Sequence, residues 1–310
     1  MKVVRYRRDD REALGLLDAE EEVVHEAFVD PGETLDALSS LIRSGDTHRL
    51  RSAGGDSFSL ESIELLAPLP RPARNVFAVG KNYWDHSQEF ASSGFDRSSH
   101  TGDDIPPHPI FFTKPARCII GPGVAIDPHS DTTSALDYEG ELAVIIGRGG
   151  RNIRPGAVWD HIWGYTLIND ITARDLQRDH KQWFFGKSLD TFCPMGPWAV
   201  TADEINVDDV LLQCWVNGEL RQKASVRDLI FNIPTLVATL SSGMTLLAGD
   251  LIATGTPAGV GIGFTPPRFL QPGDTVTVTA TGLGSLSNFV GGSAVSEVSS
   301  VNSRDRTSST

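Results

Sequence analysis

Residues 136–147 read LDYEGELAVIIG, and this stretch combines the pattern of a β-strand with two carboxylates. Side chains of a strand alternate between its faces, so Glu139 and Glu141 should share one face while alternate residues from Leu142 point toward a core. Two like charges on one sheet face are destabilising unless a positive group lies between them. No basic residue lies within five positions of either glutamate. The stretch therefore predicts a bound cation.

The composition restricts the possible partners. The 310 residues are 40% hydrophobic and 22% charged, which is ordinary for a globular protein. A formal charge of −13 argues against nucleic acid or an anionic membrane as partner, because both require a basic surface. We find no apolar run long enough to span a bilayer and no secretory leader. The cysteines, Cys118, Cys193 and Cys214, lack CxxC spacing. These features predict a cytoplasmic protein in a reducing compartment.

The chain divides by texture into an N-terminal unit and a larger one. Residues 1–67 predict a small α+β domain, with short strands at 2–6 and 22–25 and a helix marked by Leu35, Leu38, Leu41 and Ile42. A proline-rich linker follows at 68–75. Residues 72–290 predict the catalytic domain, and the Ser/Thr/Gly-rich residues 291–310 predict a disordered tail.

The larger unit has the pattern of a β-rich fold. Short strand-like runs at 211–216, 251–254 and 275–281 are separated by turn signals such as Gly249-Asp250. Regular βαβ alternation is missing from this pattern, which argues against a doubly wound sheet. We expect a mixed α/β, largely antiparallel fold with few helices.

A third carboxylate, Asp170, lies at a predicted strand-to-helix corner. The apolar run before it predicts a strand to about Asn169, and Thr172 with Asp175 resembles a capping box at the start of a helix. Asp170 could be a metal ligand or could simply cap this helix, and the residues alone leave both open. Three carboxylates suit Mg²⁺ or Mn²⁺ better than zinc, and leave about three positions for water and a chelating 2-oxo acid.

His86 and Glu89 form a possible proton-transfer pair. They are three residues apart and would share one face of a helix. A carboxylate next to an imidazole raises its basicity, which suits deprotonation of a water molecule. Taken alone, an HxxE pattern favours a surface pair. The polar segment 91–108 predicts a mobile lid over the site, with His100 and His108 exposed to solvent.

Further candidates lie downstream. Lys187 could stabilise a developing oxyanion. Arg174 and Gln177 share a predicted helix face, although an arginine on an acidic helix usually lies at the surface. The glycine-rich segment 254–263 lacks the ending of a phosphate-binding loop, and we expect its backbone to approach a small ligand closely.

Seven ordered blocks then identify a family resemblance: GKNYWDH, FFTKP, DYEGELAVIIG, GYTLINDITARDLQ, GKSLDTFCPMGPW, VNGELRQ and LIATGTPAGVG. Together they cover about residues 72–290 and resemble the fumarylacetoacetate hydrolase family. The resemblance implies a mixed β-sandwich roll, commonly dimeric, with Mg²⁺ or Mn²⁺ as cofactor. It further implies metal ligands at Glu139, Glu141 and Asp170, catalytic roles for His86, Glu89 and Lys187, and substrate contacts from Arg174, Gln177 and Thr256.

The leading functional hypothesis is metal-dependent hydrolysis of a C–C bond in an acylpyruvate-like 1,3-diketo acid. In it, Glu89 orients His86, which deprotonates water. Alternatives that use the same enolate are decarboxylation or tautomerisation of oxaloacetate, and isomerisation or hydration of a dienoate. A non-catalytic protein that keeps the fold is a third possibility, but it predicts a broken ligand set.

Overall fold

The computed structural model describes residues 1–27, 37–52, 55–95 and 106–292. Leu35, His100 and nearly all of the predicted tail lie outside these residues. The strands are β1 (Lys2–Arg8), β2 (Arg11–Asp18), β3 (Val23–Glu26), β4 (Ser57–Ser59), β5 (Glu64–Leu66), β6 (Val76–Gly80), β7 (Ile110–Lys114), β8 (Ile119–Ile120), β9 (Leu136–Asp137), β10 (Gly140–Ile146), β11 (Ile162–Asn169), β12 (Thr172–Ala173), β13 (Cys193–Thr201), β14 (Leu211–Val216), β15 (Glu219–Ser225), β16 (Leu251–Ala253), β17 (Thr275–Ala280) and β18 (Gly284–Phe289).

Short helices connect these strands. The α-helices are α1 (Ala37–Ser44), α2 (Trp84–Ser92), α3 (Arg174–Asp179) and α4 (Ile233–Gly243). The 3₁₀ turns are Thr47–Ser52, Leu60–Ser62, Ala116–Cys118, Pro155–His161, Phe185–Lys187, Ala202–Glu204, Val207–Asp209, Val226–Asp228 and Gly261–Gly263. The fold is mixed α/β and rich in strands, which confirms the predicted class. The predicted segment 91–108 begins too early, because Ala91 and Ser92 still belong to α2.

One large sheet dominates the architecture. Its strands follow the order β4-β3-β2-β1-β13-β11-β10-β16-β6-β7, with β5 added to β1 and β8 added to β13. Most pairs are antiparallel, whereas β16 with β6 and β13 with β8 are parallel. The centre, β10 and β11, is covered on both faces, and every residue of β10 is buried. This agrees with its nearly continuous apolar sequence.

A second, antiparallel sheet packs face to face on the first, in the order β15-β14-β17-β18. Leu142, Val144 and Ile146 of β10 share the core between the sheets with residues of β14 and β17. A Cβ at Gly140 would lie 3.2 Å from atoms of Cys214 and Val278 of the second sheet. A glycine there therefore allows the two sheets to approach closely.

The opposite face of the large sheet has its own core. Ala143 and Ile145 of β10 pack there with Leu38 and Ile42 of α1. The two faces of β10 thus bury alternate residues, as its period of two predicts. The N-terminal strands continue the same sheet, because β1 pairs with β13 through Val3 and Ala199. The division of the chain into domains stays a prediction.

An ion pair between a partly buried arginine and a buried aspartate connects the start of β6 to the turn before β16. Arg74 donates to both carboxylate oxygens of Asp250, with Nε 2.9 Å from Oδ1. The same carboxylate accepts from the backbone N–H of Leu247 at 2.7 Å. Because Asp250 is fully buried, its charge depends on these donors.

We expect Asp250→Ala to lower the free energy of unfolding by about 2–4 kcal/mol, since it leaves a buried N–H and a partly buried guanidinium without their acceptor. Urea denaturation measures the loss. Asp209→Ala is the matched control, because the Asp209–Arg227 pair is exposed and should contribute less than about 1 kcal/mol. Equal losses in the two variants would contradict the assigned role of Asp250.

Candidate active site

The three predicted carboxylates converge because β10 and β11 are neighbours. Gly140 pairs with Asn169 across the antiparallel ladder, which brings the chain before β10 next to the chain after β11. The backbone N–H of Asp170 donates to the carbonyl oxygen of Glu139 at 2.8 Å. One carboxylate oxygen each from Glu139, Glu141 and Asp170 lies within 4.8 Å of the others, and all three residues are buried.

Two cations neutralise part of this cluster. The Lys187 ammonium lies 2.8 Å from Glu139 Oε2 and 2.8 Å from Asp170 Oδ2. Arg174 Nη1 lies 2.7 Å from Glu139 Oε1, and its Nε donates to Asp137 at 2.9 Å. Burial acts to raise the pKa of Glu139, but the charges of Lys187 and Arg174 outweigh it and lower this pKa to about 2. Glu139 is therefore ionised at neutral pH.

A third cation, Lys114, was given no role by the sequence reasoning. Its ammonium lies 2.6 Å from Asp170 Oδ1 and donates to the carbonyl oxygens of Ile171 and Lys187. Lys114 is fully buried at the end of β7. Lys114 lies in the FFTKP block. The signal that could have predicted its burial is the alternation of this strand, which places the lysine on an inward face. Lys114 holds both Asp170 and the turn that carries Lys187.

The donor set fits a divalent cation. Glu141 Oε1 and Asp170 Oδ1 are buried without a hydrogen-bond donor among the described residues, although Lys114 is close to the latter. Burial, together with the charges of Asp170 and Glu139, raises the pKa of Glu141 well above its usual value. Hard oxygen ligands of this type suit Mg²⁺ or Mn²⁺. A cation among these oxygens would supply the missing partner.

His86 and Glu89 lie together on α2, facing the cluster. His86 Nδ1 is 3.2 Å from Glu89 Oε2, and His86 is 4% exposed. The interpretation of this motif as a surface pair is therefore wrong. Glu89 also accepts from the backbone N–H of Gly259 at 3.0 Å. A Cβ at Gly263 would lie 1.7 Å from Glu89 Oε1, so only glycine leaves room for this carboxylate.

The glycine-rich segment 254–263 approaches the chain's own carboxylates. The N–H of Gly255 donates to Glu141 at 2.8 Å, and the N–H of Gly261 donates to Asp137 at 2.6 Å. With the bond from Gly259 to Glu89, the segment positions three acidic side chains. These contacts make the segment a support for the site. Its expected approach to a small ligand stays a prediction, and Thr256 of the segment lines the cavity.

The helix after Asp170 begins differently from the prediction. Thr172 lies in β12 and donates its hydroxyl to the Asp170 carbonyl, and α3 starts at Arg174 without a side-chain cap. Asp175 accepts from Thr133 and Ser134 rather than completing a capping box. The expectation of a surface Arg174 is also wrong, since this side chain is 1% exposed. Its two carboxylate partners explain the burial.

Several of these residues line a small cavity. Its lining includes His86, Glu139, Arg174, Gln177, Lys187 and Thr256. Gln177 accepts from Arg174 at 3.1 Å, and the Thr256 hydroxyl donates to the Gly140 carbonyl at 3.0 Å. The cavity has room for about one water molecule. A substrate therefore enters only if side chains or α2 move.

Comparison with known proteins identifies the family. The model of the fumarylacetoacetate (FAA) hydrolase C-terminal domain matches residues 75–291. The chain belongs to the fumarylacetoacetate hydrolase family. Its members are enzymes, among them hydrolases, isomerases and a tautomerase. Among the residues that the structure describes, no helix is long and apolar enough to cross a bilayer.

Three relatives illustrate the range of activities. Oxaloacetate tautomerase YisK of Bacillus subtilis is 52% identical over 239 residues, which are 77% of this chain and 76% of the relative. The fumarylacetoacetate hydrolase structure from Exiguobacterium antarcticum is 43% identical with a TM-score of 0.80, covering 94% of this chain and 99% of that one. Maleylpyruvate hydrolase from Sphingobium sp. SYK-6, solved with manganese (II) and pyruvate, is 30% identical with a TM-score of 0.73 and the same coverage. With the buried triad, this manganese complex supports a divalent metal here.

We expect Glu141→Gln to lower Mn²⁺ affinity by more than about 100-fold, because outer-shell changes alone cost about 10- to 100-fold. The variant should still fold, since it removes one of three adjacent like charges. Isothermal titration calorimetry of the metal-free protein with Mn²⁺ measures the affinity. Glu61→Gln is the control, because Glu61 is exposed and lies outside the candidate site. Unchanged binding in Glu141→Gln would remove this residue from the ligand set.

Proposed function

We propose that this chain is a divalent-metal-dependent enzyme that interconverts the keto and enol forms of oxaloacetate. The observation that carries the proposal is the small cavity lined by both His86 and Lys187, a proton carrier and a buried cation. The 52% identity to an oxaloacetate tautomerase supports oxaloacetate as the substrate.

Glu139, Glu141 and Asp170 would hold the cation, with Mg²⁺ and Mn²⁺ both compatible with these oxygen donors. Bound there, a divalent ion would supply positive charge that polarises the 2-oxo group of the substrate. Lys114 keeps the Asp170 carboxylate in place, and Arg174 keeps the Glu139 carboxylate in place. These contacts fix the site before substrate arrives, which reduces the reorganisation needed for reaction.

His86 is the group that moves the proton. Because Nδ1 faces the Glu89 carboxylate, Nδ1 carries hydrogen and Nε2 is left as the base. Nε2 takes a proton from C3 of the keto acid, and the electron pair of the C3–H bond forms the C2–C3 double bond. The electron pair of the C2–O double bond moves to oxygen, which receives the proton back from His86. No atom is gained or lost.

Lys187 acts as a fixed positive charge. Burial acts to lower its pKa, but the charges of Asp170 and Glu139 outweigh burial and raise it. The side chain therefore remains an ammonium at neutral pH, and serves better as an electrostatic partner for the enolate oxygen than as a base. This separates its role from that of His86.

Hydrolysis of a C–C bond in an acylpyruvate-like acid is the second candidate. The observation that favours it is the His86–Glu89 pair, which also suits deprotonation of a water molecule. Water would add to the distal carbonyl, the C–C bond would break toward the enolate, and a proton would return to carbon. The relative described as a maleylpyruvate hydrolase supports this reaction class. It needs room for both water and a longer acid.

The substrate class, a small 2-oxo acid, is part of this proposal. The homodimer, the cytoplasmic location and the lid function of segment 91–108 stay predictions from the sequence. The non-catalytic alternative loses its main expectation, because the three carboxylates are present and converge.

The deciding experiment measures oxaloacetate tautomerisation and acylpyruvate cleavage side by side, with Mn²⁺ and with chelator. We expect tautomerisation to dominate and to be lost with chelator. His86→Ala should lower kcat by about 10²- to 10⁴-fold, the usual contribution of a general base, while Mn²⁺ affinity is retained.

His48→Ala is the matched control, since His48 is exposed in the Thr47–Ser52 turn, outside the candidate site. Faster cleavage of acylpyruvates than tautomerisation would favour the second candidate. Full activity of His86→Ala would contradict the role of His86 in both reactions.

A further inference from the structure

The cavity has a further buried cation, Lys81, that the proposed reaction leaves without a role. Lys81 lines the cavity and is 4% exposed. Its ammonium lies 5.4 Å from the centre of the Phe90 ring, and the Arg174 guanidinium carbon lies 6.0 Å from the same centre. Two cations thus border one aromatic ring on the cavity wall.

Arg174 has donor capacity left on this side. Its Nε and Nη1 are used by Asp137, Glu139 and Gln177. Its Nη2 is buried and has no acceptor among the described residues. A buried guanidinium N–H without an acceptor is costly, and an anionic ligand is the partner that would satisfy it best.

The backbone holds Lys81 in a conformation that a non-glycine residue rarely adopts. Its φ is +55°, in the left-handed region. The next residue fixes the turn, because the Asn82 side chain donates to the carbonyls of Phe231 and Thr254 and accepts from the N–H of Phe231. Such strained residues concentrate at functional sites, where the surrounding structure maintains them.

Aromatic rings form part of the cavity wall beside Lys81. The Trp183 ring contacts Phe90 and Phe112 edge to face, at centroid distances of 5.8 and 5.6 Å. A Cβ at Gly80 would lie 2.0 Å from Trp183, so this ring closes the cavity against the strand end. In such a poorly solvated space, a carboxylate is attracted more strongly to a cation than it would be in water.

We propose that Lys81 and the Nη2 group of Arg174 form a subsite for a second carboxylate, which makes the enzyme selective for short 2-oxo dicarboxylates. One end of the substrate lies at the acidic cluster and Lys187, and the other end lies between Lys81 and Arg174 beside Phe90. The proposal rests on the proposed function and specifies it further. Lys81 is the specificity-determining residue, because Arg174 also supports Glu139.

The test compares binding of two ligands to the Mn²⁺-loaded protein by isothermal titration calorimetry. Difluoro-oxaloacetate carries two carboxylates and cannot enolise, whereas pyruvate lacks the second carboxylate. We expect Lys81→Met to weaken difluoro-oxaloacetate binding by about 10- to 100-fold, the usual worth of a hydrogen bond to a charged group. Pyruvate affinity should change less than about threefold, and Lys81→Arg should restore part of the loss.

Lys223→Met is the matched control, since Lys223 is exposed on β15. Retained pyruvate affinity and melting temperature show that Lys81→Met is folded with its metal end intact. Equal weakening of both ligands, or no weakening of either, overturns the subsite while the proposed function stands. If the unaltered protein binds neither ligand and does not turn over oxaloacetate, both proposals fail.

Discussion

Neutralisation of buried carboxylates is the constraint on which the rest of the structure depends. Glu139, Glu141 and Asp170 lie within one buried cluster, where uncompensated charge would cost several kcal/mol per ion. The compensating cations come from distant segments: Lys114 ends β7, Arg174 begins α3 and Lys187 ends a 3₁₀ turn. Each ion pair therefore also fixes one element relative to β10 and β11. The fold and the site are stabilised by the same contacts.

The backbone supports the same cluster from the other side. Gly255, Gly259 and Gly261 donate N–H groups to Glu141, Glu89 and Asp137, and so connect the metal ligands, the proton-transfer pair and the partner of Arg174. Because these donors belong to one short loop, movement of that loop would disturb all three carboxylates together. Glu89 also lies on α2, so displacement of this helix relative to the loop would break its bond to Gly259. Such a movement would couple opening of the site to loss of support for the proton-transfer pair.

Much of the centre was predictable because its signals are local. The period of two around Leu142 indicated a strand, and Asp170 at the end of the next strand was a candidate third ligand. The residues alone left its role open, and the family resemblance implied that it joins Glu139 and Glu141. The cations were harder to predict. Lys114 and Lys187 lie far from each other in the sequence, and only the tertiary fold brings both to Asp170. The same holds for the pairing of β1 with β13, which joins residues nearly 200 positions apart. The helix cap predicted at Thr172 is wrong because Thr172 pairs with Asp137 in the ladder of β12 and β9.

The choice between tautomerisation and hydrolysis depends on space as well as on chemistry. Both reactions pass through an enolate, and both can use His86 with Glu89, so the catalytic groups alone do not separate them. Hydrolysis also requires a water molecule between His86 and the distal carbonyl, whereas tautomerisation requires only contact between His86 and C3. Any 2-oxo acid enters this cavity only after it widens, and the Trp183 and Phe90 rings then limit the space beside the substrate. A second carboxylate held beside Phe90 would fill the position that a longer acyl group needs. The walls that select a short dicarboxylate would thus also select the reaction that needs no water.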